Sequence, residues 1–73
     1  MSAASLHHLT LLDRTLVSLL NERARLVAQD PEIQDSGDAH VNDLLRRSAG
    51  PFPAEELRAT FTAIREGCRG ADR

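Results

Sequence analysis

The stretch from Leu6 to Gln29, LHHLTLLDRTLVSLLNERARLVAQ, constrains this chain more than any other. Leu9, Leu12, Leu16, Leu19, Arg23 and Leu26 recur at alternating spacings of three and four, and Leu20 and Val27 widen the stripe. That period predicts one amphipathic helix of about 24 residues, roughly 36 Å long at ~1.5 Å per residue. Thr10, Arg14, Ser18, Asn21 and Arg25 form the opposite, solvated face. Asp30-Pro31 ends the helix, because proline lacks an amide donor and disfavours helical backbone at the residue before it. The remainder of a 73-residue chain is too small to cover such a stripe. A chain of this size buries only about 60% of its unfolded surface, so a partner chain is expected against the first helix.

Arg23 is the exception within the stripe. A guanidinium placed among leucines must leave water, and it then needs an anionic partner or ligand. Two readings follow: an ion pair with Glu22, Asp13 or a residue of a partner chain, or a cation that binds an anionic ligand.

Composition removes several functional classes. Trp and Tyr are absent and Phe52 and Phe61 are the two aromatic residues, which leaves no base-stacking platform and no aromatic membrane belt. The net charge of −2 gives no electrostatic case for nucleic acid. Cys68, the single cysteine, cannot form a disulfide within the chain. His7 and His8 are adjacent and point in different directions from a helix, so with His40 they make a poor metal site. The N-terminus lacks the pattern of a signal peptide, and no apolar run approaches the ~20 residues needed to span a bilayer. A soluble, cytoplasmic, single-domain protein without a cofactor is expected.

Ser2 or Ser5 can cap the long helix. From Pro31 to Asp38 turn-forming residues dominate, which predicts a loop with Ile33 as its one large apolar group. A short helix is predicted from about Ala39 to Ser48, capped by Asp38, with Val41, Leu44 and Leu45 on its apolar face and Arg46 and Arg47 in its last turn. The GPFP turn reverses the chain. A third helix starts at Pro53 or Ala54, with Glu55 and Glu56 in its first turn. Leu57, Phe61, Ile64 and Cys68 share one face of it, and Gly67 and Gly70 weaken it, so that residues 69–73 should fray.

At LLDRTLVSLLNERARLV and GPFPAEELRATFTAIREGCR the chain resembles the all-helical chorismate mutases, including the mutase domains fused to prephenate dehydratase. Leu12-Asp13 and Leu19-Leu20-Asn21-Glu22-Arg23 match the long first helix of that family. Gly50 to Pro53 and Phe61 match its Gly-Pro-apolar-Pro turn and following helix. The resemblance implies an all-α fold of three helices, long, short and medium, paired through the long helices into an intertwined homodimer. It also implies rearrangement of chorismate to prephenate without a cofactor, by orienting a dicarboxylate between cations and stabilising charge on the breaking ether oxygen.

Carried over residue by residue, Arg23 matches the arginine that binds a substrate carboxylate, and Cys68 falls where a small polar residue contacts substrate. Leu6 stands where the family has an arginine that reaches into the partner's site, and Gln34 stands at its catalytic lysine. The Arg-Glu pair that opens the second helix is replaced by Gly37-Asp38 or His40-Val41, and Asp72 falls near a later Gln or Glu. Losing one preorganised donor typically costs about 10² to 10³ in rate, so very low activity is expected. The candidate substrate-binding residues are therefore Arg23, His40, Arg46, Arg47 and Cys68. Arg14 is a further reserve cation.

Three functions follow from these readings. The first is a catalytically degenerate mutase-fold module that binds a metabolite or regulates a larger shikimate-pathway enzyme. The second is a diverged but working mutase or a related pericyclic enzyme. The third is a purely structural helical dimer.

Overall fold

Ser2 opens the first helix. Its backbone is extended, and its Oγ accepts a hydrogen bond from the Ser5 N–H at 3.1 Å, which satisfies one of the unpaired amides of the first turn. The structure, a computed structural model, describes residues 2–30, 32–33 and 37–70. Helix α1 spans Ala3–Gln29, 27 residues, and so starts ahead of Leu6 because Ala3 and Ala4 are good helix formers behind the Ser2 cap. It ends at Gln29, as the Asp30-Pro31 pair predicts. Asp30 leaves the helix, and its N–H still donates to the Leu26 carbonyl at 3.1 Å.

Glu32 and Ile33 form a short 3₁₀ segment within the predicted loop, with the Ile33 N–H donating to the Asp30 carbonyl. Pro31 and Gln34, the latter at the family's lysine position, lie outside the described residues, as does Asp72. Helix α2 spans Gly37–Arg47. It begins two residues before the predicted start, so Asp38 sits in its first turn and favours the helix dipole from there. Helix α3 spans Ala54–Gly70, and the Pro53 carbonyl accepts from the Leu57 N–H at 2.9 Å to close its first turn. The helix runs through Gly67 and still includes Arg69 and Gly70, where fraying was expected.

The all-helical architecture is thus long, short, medium, with α3 in the middle and α1 and α2 each packed against it. Two side-chain pairs orient α2 on α3: Arg58 donates to Asn42 at 2.8 Å and Arg65 to Asp38 at 3.2 Å. Residue number rises along one helix as it falls along the other, so the pair is antiparallel. The predicted α3 face points inward, with Leu57, Phe61 and Ile64 half-buried and Cys68 buried.

Each helix gives one buried apolar side chain to the core: Val27, Val41 and Cys68, each 4% exposed. These three small groups are the buried core among the described residues. The α1 leucines lie outside it. Leu12, Leu16, Leu19 and Leu26 are all more than half exposed. The molecule measures 44 × 27 × 15 Å with a radius of gyration of 14.3 Å, where a compact chain of this length would have about 11 Å. Described helices include none long and apolar enough to cross a membrane.

Candidate functional site

Arg23 stands where α1 meets α3. Val27 lies four residues beyond it on the same side of α1, and the two turn the last third of that helix towards α3. The Arg23 guanidinium reaches across and donates from Nη1 to Cys68 Sγ at 3.0 Å. A guanidinium carries five N–H donors and a thiol is a weak acceptor, so this contact leaves most of the hydrogen-bonding capacity of a half-buried cation unused. No ion pair involves Arg23 among the described residues.

The expected ion-pair partners are engaged or distant. Glu22 is taken by Arg25, one turn along α1, at 2.6 Å. Asp13 lies ten residues back and lines a shallow open groove with Thr10, Arg14, Val17 and Ser18, all on α1. A groove built by one helix is a surface rather than a cavity, and Arg14 stands on it, away from Cys68. Of the two readings of Arg23, the ion pair with Glu22 or Asp13 is not formed, and the guanidinium meets a thiol instead.

The predicted site residues divide into two groups. Arg23 and Cys68 come together. Arg46 and Arg47 sit on the outer side of α2, with side chains 76% exposed, and both are held by Asp43, at 3.4 and 3.0 Å. They form the solvated helix end that their position in the last turn suggested. His40 is exposed on α2. Groups of three His, Cys, Asp or Glu that could hold a metal do not occur among the described residues.

Sequence reasoning passed over Arg65. It sits one turn before Cys68 on α3, half-buried, and its guanidinium lies against Gly37 at the start of α2, donating to Asp38 at 3.2 Å. A Cβ at position 37 would meet the tip of that guanidinium, a clash the flexible arginine can relieve by turning aside. The helical period does place Arg65 beside the Cys68 face. Its neighbour across the junction becomes visible only when α2 is laid antiparallel on α3.

A junction of this kind can hold a small anion. It offers a half-buried guanidinium, partial exclusion of water and a weakly competing thiol. It offers no paired carboxylates or activated nucleophile among the described residues, since Cys68 is buried without a basic imidazole beside it. No protein-family model, no curated protein and no solved structure matches this chain.

Proposed function

We propose that this chain is a chorismate-mutase-type helical module that pairs with a second copy through α1. At Arg23 it binds a small carboxylate metabolite of the shikimate or aromatic amino acid pathway. Its role is metabolite binding or regulation of a larger enzyme, with degenerate or very low mutase activity. One observation carries the binding reading: a half-buried arginine between α1 and α3 whose contact among the described residues is a thiol at 3.0 Å rather than a carboxylate. A cation in that state gains from an incoming anion, because its desolvation is already partly complete and its contact among the described residues is a weak acceptor.

Low activity is supported by what surrounds Arg23. Rearrangement needs cations on both carboxylates and a donor at the ether oxygen. Arg46 and Arg47 are tied to Asp43 in solvent, and Arg14 stands on the open face of α1. The pairing is supported by the bare leucine stripe, which is also the observation favouring a second reading, a structural dimerisation module without a ligand.

The test combines turnover with binding. Loss of chorismate is followed at high protein concentration beside Arg23→Ala, and the melting temperature of each protein is measured with chorismate and prephenate. The expected result is no turnover above the uncatalysed rate, and stabilisation of the parent protein that Arg23→Ala abolishes. Turnover that the substitution removes would make the chain a working mutase. A melting temperature indifferent to both compounds would leave the structural dimer.

A further inference from the structure

Helix α2 is held on α3 by few groups. Val41 is its one buried side chain, and Leu44 and Leu45 are half-buried. An 11-residue helix is too short to persist in water by itself, so whatever docks α2 on α3 also keeps it folded. No backbone hydrogen bond joins the two helices among the described residues. Their polar links run from side chain to side chain, Arg58 to Asn42 at 2.8 Å and Arg65 to Asp38 at 3.2 Å.

Those links share one edge of the contact. Arg58 and Arg65 are two turns apart on α3 and directly follow Leu57 and Ile64 of its inner face, while Asp38 and Asn42 are one turn apart on α2. The charged groups further along α2, Asp43, Arg46 and Arg47, bond to one another and to no group of α3 among the described residues. Both links stand at the surface, and the Asp38 side chain is 91% exposed. Exposed pairs of this kind contribute little, and salt weakens them. Beyond α2 the chain runs through Ser48 to Pro53, all exposed, where a Cβ on Gly50 would meet nothing within 4 Å. That turn is unpacked, so α2 can swing about it without breaking a contact there.

We propose that α2 is a releasable flap on α3, latched along one edge by Arg58 and Arg65, and that it opens as a unit while α1 and α3 stay folded. Opening bares Val41 and the part of the α3 face that the two arginines flank, Phe61 and Ile64 among it. Once free, α2 melts. Ionic strength acts on the latch through Arg65 and Asp38, the one ion pair between helices among the described residues. The flap is a salt-responsive cover over an apolar face, whatever Arg23 binds.

Hydrogen exchange of the full chain, resolved by segment with mass spectrometry, tests the assignment in about 0.1 M and about 1 M sodium chloride, between which the Debye length falls from about 10 Å to about 3 Å. The variants are Arg58→Gln and Arg65→Gln. Both changes lie on α3, so the helix-forming tendency of α2 is untouched. In the parent protein the α2 amides are expected to exchange at least about tenfold faster than those of α3. Each substitution should speed α2 by a further factor of roughly two to five, the scale of an exposed charged contact, with α1 and α3 unmoved. Raising the salt should speed α2 by a similar factor in the parent and in Arg58→Gln, and should have no effect in Arg65→Gln.

Exchange of α2 at the rate of α3 in every protein would overturn the flap, because α2 would then open only with the whole molecule. An equal rise in all three helices of the variants would overturn it as well, by showing one cooperative unit. Fast α2 exchange indifferent to both substitutions would overturn the latch and leave Val41 as what holds the helix. A salt effect that survives Arg65→Gln would overturn the control by the Arg65–Asp38 pair.

Discussion

Removing the Arg23 side chain takes away a desolvated cation and one weak contact, and no ion pair among the described residues. Breaking a buried pair by deleting one partner commonly costs about 3–5 kcal/mol, because the other charge is stranded. Here no carboxylate among the described residues is stranded. Urea unfolding of Arg23→Ala is therefore expected to show a stability within about 1 kcal/mol of the parent. A loss of several kcal/mol would mean that Arg23 pairs with a carboxylate, of a second copy or of a residue outside those described. Cys68 is the opposite case, buried to 4% between α1 and α3. Cys68→Leu inserts extra methyl groups into that contact and should cost about 1–3 kcal/mol by the same measurement. Ser2 gives a third residue-scale prediction. Its hydroxyl caps α1 and accepts the Ser5 N–H, and Ser2→Ala should lower stability by about 1 kcal/mol in thermal unfolding.

Elements were legible where local chemistry decides them. The Asp30-Pro31 stop, the GPFP reversal and the four-residue α3 face each follow from proline geometry or helical period, and each stands where expected. Helix starts moved by two or three residues, since Ala3, Ala4 and Gly37 are compatible with helix and nothing before them forbids it. Relations between helices were not legible. The chain's length predicted a largely uncovered stripe on α1, but nothing in the stripe showed that α3 would meet it at Arg23 and Val27. Arg65 was missed for the same reason, its meaning depending on Asp38, far away in sequence. The stripe itself was read too narrowly. Leu11 and Val17 lie off it and are 45% and 58% exposed, so apolar groups run round much of α1. A helix apolar on several sides is one that neighbours surround. Leu16→Glu combined with Leu19→Glu places two carboxylates on the bare face without touching the core. Sedimentation analysis should then show a monomer, with association weakened at least a hundredfold by the unpaired charges. An unchanged mass would place the contact between copies elsewhere.

At the scale of the whole molecule, surface area bears on the proposed pairing through α1. The chain exposes 5901 Å², whereas a compact folded monomer of its 8.0 kDa would expose about 4,450 Å². The excess of roughly 1,450 Å² per chain exceeds the ~800 Å² that each partner contributes to a standard interface and falls in the range of obligate dimers. Three small buried side chains, one from each helix, cannot offset the entropy of ordering some 70 residues. With the proposed pairing, folding and association are expected to be one event, in which the leucine face of α1 adds the buried apolar area that one chain alone lacks. For such a dimer the melting temperature depends on protein concentration, falling by about 3–5 °C for each tenfold dilution. Scanning calorimetry over a hundredfold range of concentration, beside a sedimentation measurement of mass, checks both halves of the argument. A mass of twice 8.0 kDa with a concentration-dependent transition is the expected outcome. A monomer whose transition ignores dilution would mean that the bare face of α1 is met by something other than a second copy of this chain.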